Sequence, residues 1–93
     1  MKYIKTVKQP EFVVFLADEN IILSEFRSII RGLACILDST VEWITMPEAE
    51  IAKIQLSTGE IYAKFDFDYG LEINCEGLLN YEILRIEAAL LKE

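Results

Sequence analysis

Glu60-Ile-Tyr-Ala-Lys-Phe-Asp-Phe-Asp-Tyr-Gly-Leu-Glu-Ile-Asn-Cys-Glu76 alternates apolar and polar residues with a period of two, the pattern of strands with one buried face. Ile61, Ala63, Phe65 and Phe67 go to one face, and Tyr62, Lys64, Asp66 and Asp68 to the other. After a Tyr69-Gly70 turn the apolar positions resume at Leu71, Ile73 and Cys75. A three-residue loop, Asp68-Tyr69-Gly70 with Gly70 left-handed, pairs Phe67 with Leu71, Phe65 with Ile73 and Ala63 with Cys75. It also sets Asp66 opposite Glu72, Lys64 opposite Asn74 and Tyr62 opposite Glu76. Asp66, Asp68, Glu72 and Glu76 thus share one outer face with a single Lys64. Like charges across strands cost stability, so such a face calls for an explanation.

Upstream, Glu50–Ser57 alternates in the same way. A two-residue Thr58-Gly59 turn pairs Leu56 with Ile61, Ile54 with Ala63 and Ala52 with Phe65, which keeps the apolar side chains together. Thr40–Met46 reads as the strand before it, and Pro47-Glu48-Ala49 connects the two. These runs make a four-strand meander over residues 40–75. Residues 3–8 read as an edge strand stopped by Pro10, which cannot donate to a ladder. Phe12-Val-Val-Phe-Leu-Ala17 is a continuous β-prone run. It suits a strand covered on both faces or one leading into a helix.

Ile22, Phe26, Ile29, Ile30, Leu33 and Leu37 recur at helical spacing and predict an amphipathic helix over about residues 21–38. Asp18 or Asn20 would cap it, and Asp38-Ser-Thr40 stops it. Gly32 in its interior costs about 1 kcal/mol relative to alanine. Leu79, Ile83, Ile86 and Leu90 form the stripe of a second helix over about 78–92. Leu84, Ala88 and Leu91 widen that stripe and predict burial on two sides. The whole is one α+β domain, residues 1–93. It has two layers, a mainly antiparallel sheet (the meander plus one or two N-terminal strands) and two helices on one sheet face.

The 93 residues are 53% hydrophobic, more than a small monomer needs to bury. Net charge is −7; residues 1–10 hold Lys2, Lys5 and Lys8 and no acid. The rest of the chain, with six basic residues against sixteen acidic ones, carries −10. Such a surface repels phosphate backbones, so no nucleic-acid partner is expected. It suits a basic protein partner. Cys35 and Cys75 lie in apolar runs, outside any metal or redox spacing, and read as buried free thiols. The first ten residues lack the apolar core of a signal peptide, and residues 21–37 are too short and too charged to cross a bilayer. A cytoplasmic protein that does not bind membranes is expected.

There is no histidine, which removes the commonest general base and metal ligand. Neither a phosphate-binding loop nor a zinc spacing is present. Asp66, Asp68 and Glu72 are the one carboxylate set that suggests a divalent-metal enzyme, but no calcium-loop spacing follows them. Trp43 reads as core. Tyr62 and Ile51 share the polar face and, rimmed by acids, resemble an interface core. No enzymatic activity and no cofactor are expected. The leading expectation is an acidic protein-interaction module of inhibitor or immunity type, covering a basic site on a partner such as a nuclease or other toxin. Its contact residues are Tyr62, Lys64, Asp66, Asp68, Glu72 and Glu76. The alternatives are a structural homodimer built on the widely apolar C-terminal helix and the carboxylate-and-metal enzyme.

Overall fold

The computed structural model describes residues 3–9, 11–17 and 21–91. Within them the order is β1 (Tyr3–Gln9), β2 (Phe12–Ala17), α1 (Leu23–Ile36), β3 (Glu42–Thr45), β4 (Ala49–Gln55), β5 (Glu60–Asp66), β6 (Gly70–Glu76) and α2 (Asn80–Leu91). The six strands form one antiparallel sheet in the order β1-β2-β6-β5-β4-β3. The meander is as expected, and β1-β2 is a hairpin added beside β6. That placement makes β2 an interior strand, which explains its unbroken apolar run: Val13, Val14 and Phe15 are all buried. Pro10, the expected stop of β1, and Asp18 and Asn20, the expected caps of α1, lie outside the described residues.

Both helices lie on the same sheet face. Phe26 of α1 stacks on Phe65 of β5 at 5.4 Å between ring centroids. Glu87 of α2 reaches Lys5 of β1 at 2.9 Å. Lys5 pairs with Phe15, Phe15 with Ile73 and Ile73 with Ala63, and cross-strand partners share a face. The core beneath the helices holds Phe15, Ile54, Ile61, Ala63, Phe65, Ile73 and Cys75, closed by Phe26, Ile30, Leu33, Ile86 and Leu90. The carboxylate of Glu50 is also buried on this side. It accepts from Thr45 Oγ1 at 3.3 Å and pairs with Arg27 of α1 at 3.4 Å.

Both hairpins of the meander are offset by two residues from the expected register. Ile54 pairs with Ile61 and Ala52 with Ala63; Phe65 pairs with Leu71, Ala63 with Ile73 and Ile61 with Cys75. An offset of two leaves every side chain on its expected face. The first loop is four residues, Leu56–Gly59, closed by the Leu56 N–H to the Gly59 carbonyl at 2.8 Å. Gln55 Nε2 donates to the Leu56 and Gly59 carbonyls. This loop brings Gly59 against the backbone of Glu76 and Gly77, where a Cβ would collide with the Glu76 carbonyl. The second loop is Phe67-Asp68-Tyr69, one residue earlier than expected. Asp66 Oδ1 accepts the N–H groups of Asp68 at 2.9 Å and Tyr69 at 3.0 Å, a side-chain turn that begins at Asp66. Gly70 takes φ +94°. Phe67 therefore lies in a loop, 49% exposed, and not under the helices as its alternation predicted.

The helix ends also differ from expectation. Ile22 and Leu79, expected on buried stripes, are exposed residues preceding the helices. Each has its N–H bound by a glutamate three residues on, Glu25 at 3.0 Å and Glu82 at 2.9 Å. These are the reciprocal halves of a capping box, in chains whose cap residue offers no oxygen of its own. Glu82 also accepts from Thr58 Oγ1 at 2.7 Å, tying α2 to the β4–β5 loop. α1 closes with Ser39 N–H to the Ala34 carbonyl and Asp38 N–H to the Cys35 carbonyl. Asp38 is left-handed at φ +52°, which makes this a Schellman ending. Leu84, Ala88 and Leu91, expected to be buried on a second side of α2, face solvent.

Candidate functional site: the open face of the sheet

The helices cover one sheet face, so the outer residues of the strands are the accessible working surface. On β5 these are Tyr62, Lys64 and Asp66; on β6 they are Glu72, Asn74 and Glu76. The observed register rearranges their charges. Lys64 lies opposite Glu72 and 3.9 Å from Asp66 Oδ2. Asp66 lies opposite Gly70, so the expected Asp66–Glu72 repulsion is absent. Tyr62 lies opposite Asn74, whose Nδ2 donates to the Tyr62 carbonyl at 3.3 Å. Like charges instead face each other at Glu60 and Glu76.

The six residues singled out from the sequence therefore divide into two groups. Lys64, Asp66, Asp68 and Glu72 gather at the end of the sheet that carries the Phe67–Tyr69 loop. Tyr62 and Glu76 lie toward the other end. Tyr62 is half-buried beneath Lys53, whose ammonium is 5.8 Å from the ring centroid. Ile51, expected to be exposed beside Tyr62, is buried between its cross-strand partners Ile44 and Lys64. Tyr62 and Ile51 therefore do not form the expected exposed pair.

A depression of about 250 Å³ opens where the first group gathers, lined by Leu16, Lys64, Asp66, Tyr69 and Glu72 among others. Tyr69 stands beside it at 91% exposure. Its backbone, and that of Asp68, is pinned by the Asp66 carboxylate, and Phe67 N–H donates to the Glu48 carbonyl at 3.1 Å. The Phe67 ring packs edge-on against Phe65 at 5.7 Å. The backbone of this loop is thus held in place, and that part of the ordering entropy is already spent on folding. Sequence alternation missed Phe67 because it assigned that residue to the core. It missed Leu16 because β2 lies far away in the chain and carries no polar pattern.

Asp66 Oδ1 is occupied by two backbone donors. Among the described residues, no three Asp, Glu or Cys side chains are placed to hold a metal ion together. Trp43 is half-buried against the core, edge-on to Phe26 at 6.1 Å, with the Arg31 guanidinium 5.6 Å from its ring centroid. Among the described residues, no helix is long and apolar enough to cross a membrane. Comparison with known proteins gave no match to a family model, a curated protein or a solved structure.

Proposed function

We propose that this chain is a non-enzymatic interaction module that uses the loop end of its open sheet face to bind a basic surface on a protein partner. Its form is that of a cytosolic inhibitor or immunity-type protein, covering the cationic site of a nuclease or similar toxin with carboxylates. The observation that carries the reading is the aromatic loop. Tyr69, almost fully exposed, lines a depression whose other contributors include Asp66 and Glu72, while Phe67 of the same loop, half exposed, packs edge-on against Phe65 on the helix side. Exposed aromatics serve as anchors at protein interfaces. The surrounding acids, with −10 over residues 11–93, supply steering toward positive charge. The two unbridged thiols fit a reducing compartment.

The test compares capture from the source cell by four proteins at low and high salt. Asp68→Lys with Glu72→Lys reverses two charges at the site. Glu11→Lys with Asp38→Lys makes the same net change at exposed positions elsewhere. The site variant is expected to lose the partner at low salt while the control keeps it, and the difference should narrow in high salt as screening grows. Tyr69→Ala should weaken binding by about 2 kcal/mol or more through faster release. Equal loss in both charge variants would reduce the effect to overall charge. Retention by all three variants would place the contact on another surface.

A further inference from the structure

We propose that the outward face of α2 is the surface through which two copies of this chain pair. Tyr81, Leu84, Ala88 and Leu91 recur at spacings of three, four and three residues, the a/d rhythm of helices that pack on helices. They lie on the side opposite the buried Ile83, Ile86 and Leu90. Tyr81 is 58% exposed, Leu84 51% and Leu91 70%. α1 is not built this way. Its outward positions are Ser24, Glu25, Ser28, Arg31 and Gly32, with Cys35 and Ile36 only in the last turn, a mainly polar face as expected of a helix that faces water.

The charges flanking the stripe are turned toward their own molecule. Arg85 donates to the Ile36 carbonyl at the end of α1 at 2.7 Å, and Glu87 is held by Lys5 at 2.9 Å. Among the described residues, the stripe itself holds no ionic group. Its four residues offer apolar area on the order of 400 Å² per copy. Two copies together remove about 800 Å² of it, the size of a weak, reversible contact.

A two-fold contact is self-complementary. With its axis across the middle of α2, the helices run antiparallel. Leu84 then meets the partner's Ala88, and Tyr81 meets the partner's Leu91. Large side chains fall against small ones in the centre. A parallel pairing would set Ala88 against itself and leave a gap between the two leucine layers. Because α2 lies in the helical layer, the open sheet face stays free on both copies. The pairing is therefore independent of the partner proposed above.

Sedimentation of the purified chain tests it. At about 50 μM the mass of two chains is expected, falling to one on dilution. Leu84→Lys with Leu91→Lys should raise the dissociation constant at least about thirtyfold, with an unchanged circular dichroism spectrum. Two added lysines take the net charge from −7 to −5, so general repulsion between copies falls and cannot cause the loss. Should that variant fail to fold, Tyr81→Ser alone should weaken pairing about tenfold. Ile4→Lys with Val7→Lys, on the exposed edge strand β1, should leave pairing unchanged. A chain that stays monomeric at several hundred micromolar would overturn the proposal, whatever partner binds the sheet face. So would a dimer that survives both stripe variants, or one that the β1 variant dissolves.

Discussion

At Cys75, burial in the core pushes the thiol pKa up to about 12 from the ordinary 9.0, because the thiolate would lose its water. Its proton stays on throughout the neutral range. A raised folded-state pKa means that this contribution to stability is complete below pH 9 and is lost as the pH climbs through 12. At pH 8 its thiolate fraction is about one in ten thousand. Cys35, expected to be buried as well, is exposed on α1. Alkylation at pH 8 should therefore label one thiol in the native protein and two in denaturant without reductant. Two rapid native adducts would contradict the burial of Cys75. The sequence distinguished these residues poorly because both sit among apolar neighbours. Cys75 falls on the inner parity of β6, whereas Cys35 falls on the outward arc of α1.

Two glycines show how an element's surroundings set the sign of a substitution. Gly32 lies in the interior of α1, where an added Cβ meets nothing within 4 Å. Gly32→Ala should stabilise by about 1 kcal/mol, raising Tm by about 4–8 °C for a chain of this size. Gly59 sits where the β4–β5 loop presses on the end of β6, and an added Cβ would meet backbone. Gly59→Ala should cost about 1–3 kcal/mol. Thermal melts of the two variants against the parent decide the matter, and shifts of the same sign would contradict the packing described. Both helices and the four strands of the meander were legible from periodicity and turn residues, with one or two strands expected before them. The loops were not: the offset of two preserved the hydrophobic pattern, so the pattern could not choose between the registers. The choice lies with the Asp66 carboxylate turn, the left-handed Gly70 and the Gly59 contact.

In the whole molecule, one aromatic cluster joins the layers. Phe65 stacks on Phe26 and receives the edge of Phe67, while Trp43 meets Phe26 edge-on. Phe65→Ala removes the member that touches both α1 and the Phe67–Tyr69 loop. It should cost about 3–5 kcal/mol, against a total of about 5–15 kcal/mol for a domain. Denaturant titration should show a midpoint lowered by about a fifth or more, and a midpoint within a tenth of the parent's would refute the core assignment. The same cluster couples stability to the site, since Phe67 leans on Phe65 from the loop that presents Tyr69. Part of that site was visible beforehand: Lys64, Asp66 and Glu72 were correctly assigned to the outer face, whereas Asp68, expected there too, lies in the Phe67–Tyr69 loop. Their grouping with Tyr69 and Leu16 was not, because it depends on which residue begins the turn and on where β2 joins the sheet.

Alternation and helical spacing are local properties, set by the pleat of a strand and the turn of a helix. For this chain they determined the element order, the two-layer α+β class, the inward face of β5 and β6, and the alternation of β4 outside the loops. Which strands became neighbours, how far each hairpin slid and what the second face of α2 meets are decided between elements distant in sequence. There a two-residue slip leaves the apolar pattern unchanged, and backbone contacts such as Gly59 against Gly77 select among otherwise equivalent pairings. The apolar outer face of α2 shows the same division. Its composition is plain in the sequence, but its exposure follows from Ile83, Ile86 and Leu90 having already taken the core side of the helix.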